Sequence, residues 1–212
     1  MIRTALALSL AVSALGTPAY AEPAQPSIDN VYAVVDCLMQ RGSRNMERVL
    51  STVPGTIDAD APWVAGGVYA CRATGTQVPA ASFYNRGAVA ERLLYRDFEA
   101  IGARPRGRPA RVFEPVSSYY VRYADESARA ALSMLGMASC VVRADPERSY
   151  AFFRTPRGSA AERGAIESLM PALSACVGQG ENIDLSPQVF RAFLAEAAYR
   201  AAAGRPEVFR TE

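Results

Sequence analysis

Two arginine–glutamate pairs recur in similar sequence surroundings, and their side chains are the first candidates for chemistry. Arg86 precedes Glu91 in "RGAVAE", and Arg191 precedes Glu196 in "RAFLAE". Residues with this spacing are separated by about 140° around a helix axis, so neither pair is a simple ion pair within one helix. One interpretation is structural, with each Arg bonded to carbonyls of a neighbouring helix and each Glu to a partner across a pseudo-two-fold axis. The other places Glu91 and Glu196 in a cleft, as paired carboxylates that hydrolyse a glycosidic bond by acid–base catalysis.

A short basic segment is the second candidate, in this case for the binding of an anion. The stretch "RPRGRPAR" contains four arginines and is followed by three tyrosines: Arg104, Arg106, Arg108, Arg111, Tyr119, Tyr120 and Tyr123. Guanidinium and phenol groups together can bind phosphates or sugars. The Pro and Gly residues keep the segment out of a helix, so the alternative is a solvated connector whose tyrosines pack on the rest of the chain. The hypothesis is a weak, salt-sensitive contact with an anionic component of the cell envelope.

The composition excludes several common chemistries. The chain has no His, and all of its basic residues are Arg, which excludes an imidazole base, an imidazole metal ligand and a lysine Schiff base. Motifs for a serine nucleophile, a phosphate-binding loop and a dinucleotide site are missing, and four scattered thiols without His make a poor zinc site. Asp58 and Asp60 fit a helix N-terminus better than a metal site. We therefore expect no metal and no cofactor, and a net charge of +2 argues against a nucleic-acid partner.

Two stretches of the chain match in register, which predicts an internal duplication. A cysteine, a glycine turn and a second cysteine recur at separations of 103 to 105 residues: Cys37, Gly55 and Cys71 correspond to Cys140, Gly158 and Cys176. Apolar residues at helical spacing precede each of these cysteines, and Arg86 and Arg191 each follow a second cysteine by 15 residues. The repeated polar pairs are therefore predicted to occupy equivalent positions in two copies of one unit.

Helix signals predict an all-α fold of two tandem four-helix units, about 28–100 and 124–203. The corresponding boundaries are 22–101 for unit 1, 102–122 for an Arg/Pro/Gly-rich connector, and 123–212 for unit 2 with a short C-terminal tail. The first helix of each unit is expected to end near its first cysteine, and the third helix carries the second cysteine. Cap and proline signals predict helix starts at Asp145-Pro146 and Ser186-Pro187, with counterparts near Ser43 and Ala81-Ser82. Only "VSSYYVRY" at 116–123 is rich enough in β-favouring residues to compete as a strand.

An even number of cysteines, four, predicts two disulfides in a chain that folds in an oxidising compartment. Three pairings are possible, and a copied unit that keeps its own crosslink favours Cys37–Cys71 and Cys140–Cys176. Each bond would connect the first helix of a unit to the third.

The N-terminus carries the features of a secretory signal peptide over residues 1–21. Arg3 is followed by an apolar run too short to span a bilayer, and Ala19-Tyr20-Ala21 fits the rule for signal peptidase. We expect cleavage near Ala21, a periplasmic or secreted location, and no transmembrane segment in the mature chain.

The cysteines, the glycine turns and the stretch "RGAVAERLLY" resemble small exported, duplicated helical proteins of GC-rich Gram-negative bacteria, a group without an assigned activity. This resemblance implies export, helices and disulfides, and it carries no catalytic residue to this chain. We therefore favour a non-enzymatic helical protein with an interaction or envelope-associated role. The alternative is a cell-wall glycan hydrolase that uses Glu91 and Glu196.

Overall fold

The computed structural model describes residues 28–71, 83–178 and 185–210, and the secondary structure in these ranges is helical. The predicted signal peptide and the predicted helix start at Ala81-Ser82 lie outside the described residues. The first half contains α1 to α5 and a short 3₁₀ turn, and the second half contains α6 to α10. Their bounds are α1 Ile28–Arg41, α2 Ser43–Val49, the 3₁₀ turn Ile57–Ala59, α3 Ala61–Ala65, α4 Val68–Cys71, α5 Phe83–Asp97, α6 Ser118–Tyr123, α7 Glu126–Ala144, α8 Pro146–Phe152, α9 Ala160–Cys176 and α10 Pro187–Ala202.

Side-chain caps fix where the helices of the second half begin. The hydroxyl or carboxylate of the N-cap residue accepts a hydrogen bond from a backbone N–H of the first turn in each case: Ser117 for α6, Asp125 for α7, Asp145 for α8, Ser159 for α9 and Ser186 for α10. The predicted starts at Asp145-Pro146 and Ser186-Pro187 are therefore confirmed.

The all-α prediction is confirmed, with three local differences. The first helices continue past their cysteines, to Arg41 and Ala144. The single third helix expected in the first half is broken into the 3₁₀ turn, α3 and α4, because α3 stops at Gly66 and Gly67 takes a left-handed φ of 78°. The stretch 116–123 forms α6 rather than a strand, apart from an isolated bridge between Val116 and Phe209 that holds the C-terminal tail.

The helices enclose one continuous hydrophobic core to which both halves contribute. Its centre is the pair α5 and α10, which have the most extensive contact among the described helices. Gly87 lies at the closest approach, where an added Cβ atom would come within 2.3 Å of the Ala192 Cα atom. The two helices can pack this tightly only because small residues stand at the crossing.

Two disulfides join the helices, and both match the predicted pairing. Cys37–Cys71 connects α1 to α4, and Cys140–Cys176 connects α7 to the end of α9. The sequence separations are 34 and 36 residues. Within the described ranges, no helix combines the length and apolar character needed to cross a membrane.

Candidate functional site

The two repeated Arg–Glu pairs exchange partners between α5 and α10. Arg86 of α5 binds Glu196 of α10 through Nε and Nη2, at 2.9 and 2.6 Å. Arg191 of α10 binds Glu91 of α5 in the same two-pronged manner, at 2.9 and 2.8 Å. All four side chains are at most 4% exposed. The central helices are therefore tied together by two reciprocal, buried, bidentate ion pairs.

Each arginine also holds the loop that follows a short helix. Nη1 of Arg86 donates to the carbonyl of Val49 and, at 3.0 Å, to the hydroxyl of Thr52. Arg191 donates to the carbonyl of Phe153 at 3.1 Å and to that of Thr155 at 3.4 Å. The guanidinium groups thus satisfy carbonyls at the ends of α2 and α8, where the last carbonyls of a helix lack the usual intrahelical partner.

The pair around Arg191 has additional partners. Nη1 of Arg191 binds Glu162 at 2.8 Å, and the Tyr32 hydroxyl donates to Glu91. Burial lowers the pKa of Arg191, but the hydrogen bonds and charge of Glu91 outweigh it, so the net pKa is raised. Burial raises the pKa of Tyr32, and the adjacent Glu91 carboxylate raises it further. Arg191 therefore stays charged and Tyr32 stays protonated, and both remain donors to Glu91.

A third buried arginine lies one turn beyond Glu196. Arg200 is fully buried, donates to the carbonyls of Phe113 and Glu207, and stacks on the Phe113 ring at 4.0 Å. Burial lowers its pKa to about 10, and the charge of Glu196 works in the opposite direction. Its role in the structure is to anchor the connector and the C-terminal tail to α10.

These bonds leave the repeated glutamates no access to a substrate. Glu91 and Glu196 are 2% and 3% exposed, and every carboxylate oxygen accepts at least one hydrogen bond from a guanidinium. A general acid or base must reach the reacting group directly or through one water molecule. The arrangement instead crosslinks α5 and α10.

The basic segment at 104–111 is divided between two places. Arg106 turns back onto the end of α5, where it binds the carbonyl of Tyr95 at 3.0 Å and Glu99 at 3.4 Å. Arg104, two residues earlier, is exposed. Arg108 and Arg111 instead line a depression of about 290 Å³ to which Arg104 and Arg106 do not contribute.

That depression is completed by two arginines of α2. Arg44 and Arg48 are one helical turn apart and line it together with Arg108 and Arg111. All four side chains are exposed, and none forms an ion pair with any residue that the structure describes. We refer to Arg44, Arg48, Arg108 and Arg111 as the arginine surface. A larger depression, about 1000 Å³, adjoins it and extends past Arg41.

The acids beside the arginine surface are already engaged. Glu47 accepts hydrogen bonds from Ser43 at 3.0 Å and from Arg96 at 2.8 Å. Asp97 binds Arg96 through both oxygens and accepts a further bond from Tyr199. The hydrogen bonds that Arg96 donates to Asp97 are the main factor that raises the pKa of Arg96, so this cation remains available to both acids. Arg96 supplies one positive charge to these two acids, so one negative charge remains beside the four positive charges of the arginine surface, which stays strongly basic.

The tyrosines after the basic segment differ in burial. Tyr119 and Tyr123, on one face of α6, are 67% and 68% exposed, and their ring centroids are 4.5 Å apart. Tyr120 packs against the core. Among the described residues, no group of three or more Cys, Asp or Glu side chains could hold a metal ion.

The contribution of α2 to the basic site was not predicted from the sequence. Arg44 and Arg48 could have been noticed as a pair on one helix face, because they are spaced i and i+4. Their proximity to Arg108 and Arg111 depends on the path of the connector, for which no local signal exists. In comparisons with protein-family models, with curated proteins and with solved structures, nothing matched this chain.

Proposed function

We propose that this is an exported, non-enzymatic helical protein that binds an anionic component of the cell envelope through the arginine surface. The observation that carries the proposal is that four exposed arginines from two separate parts of the chain line one depression, and that none of them forms an ion pair with a described residue. The acid that lines the same depression, Glu47, is bonded to Arg96. Such a surface attracts anions and binds carboxylates or phosphates with its planar donors.

Export is supported by the N-terminal sequence and by the two disulfides, since such bonds persist in oxidising compartments. The glycan hydrolase is the weaker candidate, because Glu91 and Glu196 are buried in ion pairs. Sequencing the N-terminus of the protein recovered from the periplasm or medium tests export. We expect it to begin at Glu22, and an uncleaved protein in the cytoplasm would refute this part of the proposal.

We further infer that the two halves arose by duplication of one unit. The disulfides, the reciprocal ion pairs and the glycine turns at Gly55 and Gly158, with φ of 78° and 70°, all occur at corresponding positions. Gly87 and Ala192 also correspond, at a separation of 105 residues, and they meet where α5 crosses α10. Contact between corresponding residues is expected where a pseudo-two-fold axis passes.

Binding to anionic surfaces tests the proposed function directly. The mature protein is mixed with vesicles of phosphatidylglycerol and phosphatidylcholine, and with purified cell-wall polymer, at low salt and at about 1 M salt. We expect binding to at least one of the two materials at low salt and its loss at the higher concentration, where the screening length is about 3 Å. The variant Arg44→Ser/Arg48→Ser/Arg108→Ser/Arg111→Ser should lose this binding.

A matched control removes the same charge elsewhere. Arg104, Arg122, Arg143 and Arg163 are exposed and lie outside the arginine surface. Their quadruple Ser variant should keep most of the binding if the surface is responsible. If both quadruple variants lost binding to the same extent, only the net charge of the protein would matter for binding, and the proposal would be wrong.

A further inference from the structure

The arginine surface is held rigidly, although half of it belongs to a segment rich in Pro and Gly. The backbone N–H of Ala110 donates to the Tyr199 hydroxyl at 2.6 Å, and that of Phe113 donates to the carbonyl of Leu50 at 2.9 Å. These bonds fix the connector on both sides of Arg111. On the other side of the depression, Asn45 of α2 donates to the carbonyl of Ala65 at 3.0 Å. The backbone on either side of Arg111, and the α2 residue next to Arg44, are therefore held in place before any ligand arrives.

The charge of the arginine surface selects among anions. Four guanidinium groups share this depression with a single carboxylate, Glu47, and repel each other. A ligand with two negative charges relieves more of that repulsion than a ligand with one. A phosphomonoester carries close to two negative charges at neutral pH and presents three acceptor oxygens in a tetrahedral array. A carboxylate, a sulfate ester or a phosphodiester carries only one charge. The depression, at about 290 Å³, has room for such a group and part of the molecule attached to it.

We propose that the arginine surface is a phosphomonoester site, which would take a terminal phosphate on an envelope lipid or on a small sugar phosphate. This rests on the proposed function, because it names the ligand class of the same surface. Each planar guanidinium can donate two parallel hydrogen bonds to phosphate oxygens. Arg44 and Arg48 approach from α2, and Arg108 and Arg111 from the connector, so one phosphate group can be bound from two sides.

The absence of histidine gives this proposal a distinctive pH test. Histidine is the side chain whose ordinary pKa lies between pH 5 and 8, and the chain contains none. The charged groups that line the depression are the four arginines and Glu47, which is bonded to Arg96 of α5. A phosphomonoester, by contrast, gains its second charge near pH 6. A rise in affinity between pH 5 and pH 7 is therefore expected from the ligand.

The soluble test uses glucose 6-phosphate and, as a matched monoanion, glucose 6-sulfate. Their affinities for the folded mature protein are measured by NMR titration at pH 5 and pH 7. We expect glucose 6-phosphate to bind about fivefold tighter at pH 7 than at pH 5, and glucose 6-sulfate to show no such change. In the variant Arg108→Ser/Arg111→Ser, the affinity for glucose 6-phosphate should no longer differ between pH 5 and pH 7. In the control Arg143→Ser/Arg163→Ser, that difference should be preserved.

A vesicle experiment distinguishes a lipid source from a soluble one. Vesicles with phosphatidic acid, a phosphomonoester, are compared with phosphatidylglycerol vesicles, a phosphodiester, at equal surface charge. Preference for phosphatidic acid supports a lipid headgroup, and inhibition of that binding by millimolar glucose 6-phosphate supports one common site. Equal binding to both vesicle types, together with equal affinity for the two glucose esters, would overturn the phosphomonoester proposal. That outcome would still leave the proposed anionic function in place. The proposed function is refuted separately, by a mature protein that binds neither vesicles nor cell-wall polymer, or by equal loss of binding in the two quadruple variants.

Discussion

Among single side chains, Arg191 carries a larger share of the buried charge network than its counterpart Arg86. Arg86 is paired with one carboxylate, Glu196, whereas Arg191 is paired with two, Glu91 and Glu162. All of these groups are nearly inaccessible to water, so each carboxylate depends on its guanidinium. Loss of one partner from a buried ion pair leaves an uncompensated charge, which costs about 3–5 kcal/mol.

We therefore predict that Arg191→Met destabilises the protein more than Arg86→Met. Met keeps much of the length of the side chain and removes only the charged donors. In Arg86→Met, the free energy of unfolding should fall by about 3 kcal/mol. In Arg191→Met it should fall by about 5 kcal/mol or more, because two carboxylates are left without their cation. Urea unfolding followed by circular dichroism measures both changes. Arg163→Met, on the exposed side of α9, is the control and should change the free energy of unfolding by less than about 0.5 kcal/mol. A larger loss for Arg86→Met than for Arg191→Met would contradict this account.

Only the symmetric part of this network could be predicted from the sequence. Arg86, Glu91, Arg191 and Glu196 could be selected because they recur in register. Glu162 and Tyr32 could not, because their counterparts under the same register are Ile57 and Leu135, which have no polar group. A repeated sequence pattern identifies residues whose contacts occur in both halves. A contact that occurs in only one half cannot be found by comparing the two halves of the sequence.

At the level of helices, the crossing of α5 and α10 depends on the absence of one methyl group. A Cβ atom at Gly87 would meet the backbone of Ala192 at distances that no side-chain rotation could relieve. The ion pairs also join these two helices, so a change in the separation of the helices would strain the bidentate geometry. The closeness of the crossing therefore determines the geometry of both pairs.

The variant Gly87→Ala should consequently destabilise the protein, although Ala is the better helix former. We expect overpacking to lower the free energy of unfolding by about 2–3 kcal/mol or more, although the better helix propensity of Ala contributes up to about 1 kcal/mol in the opposite direction. The matched control is Gly164→Ala in α9, where a Cβ atom would meet no described atom within 4 Å. That variant should be stabilised by about 0.5–1 kcal/mol. Thermal unfolding of the two proteins should shift in opposite directions, and a stabilised Gly87→Ala variant would disprove the close approach.

Helix boundaries could be predicted where local residues specify them, and not elsewhere. Asp145-Pro146 and Ser186-Pro187 combine a side-chain cap with proline, and the helices begin there. The apolar periodicity of 61–71 predicted one helix, yet Gly66-Gly67 interrupts it, whereas the corresponding α9 continues through Pro171. Whether a helix continues at such a position is determined by tertiary packing, because a glycine within a helix costs only about 1 kcal/mol in helix propensity.

Considered as a whole, the molecule has two crosslinked halves and one core. Buried residues from α1 and α2 belong to the same cluster as those from α7, α8 and α10. Each half has its own disulfide, but the apolar surface of each half is covered from solvent only by packing against the other half. The halves are therefore expected to unfold together, since separating them would expose the apolar faces of α5 and α10 and their buried ion pairs.

This shared core leads to a prediction about the disulfides. The chain-entropy model attributes roughly 3–4 kcal/mol to each bond, because the loops they close are nearly equal, at 34 and 36 residues of separation. We compare Cys37→Ala/Cys71→Ala with Cys140→Ala/Cys176→Ala by differential scanning calorimetry, with Ser174→Ala as an exposed-site control. Each double variant should show a single transition at a lower temperature, and the two decreases should be similar. The control should unfold at a temperature close to that of the unmodified protein.

Each variant could instead show two transitions, of which only one is shifted. The halves would then unfold independently, and the prediction of a single cooperative core would be wrong. The result also tests the crosslinks themselves, because a variant that unfolds at the original temperature cannot have lost a bond that stabilises the fold.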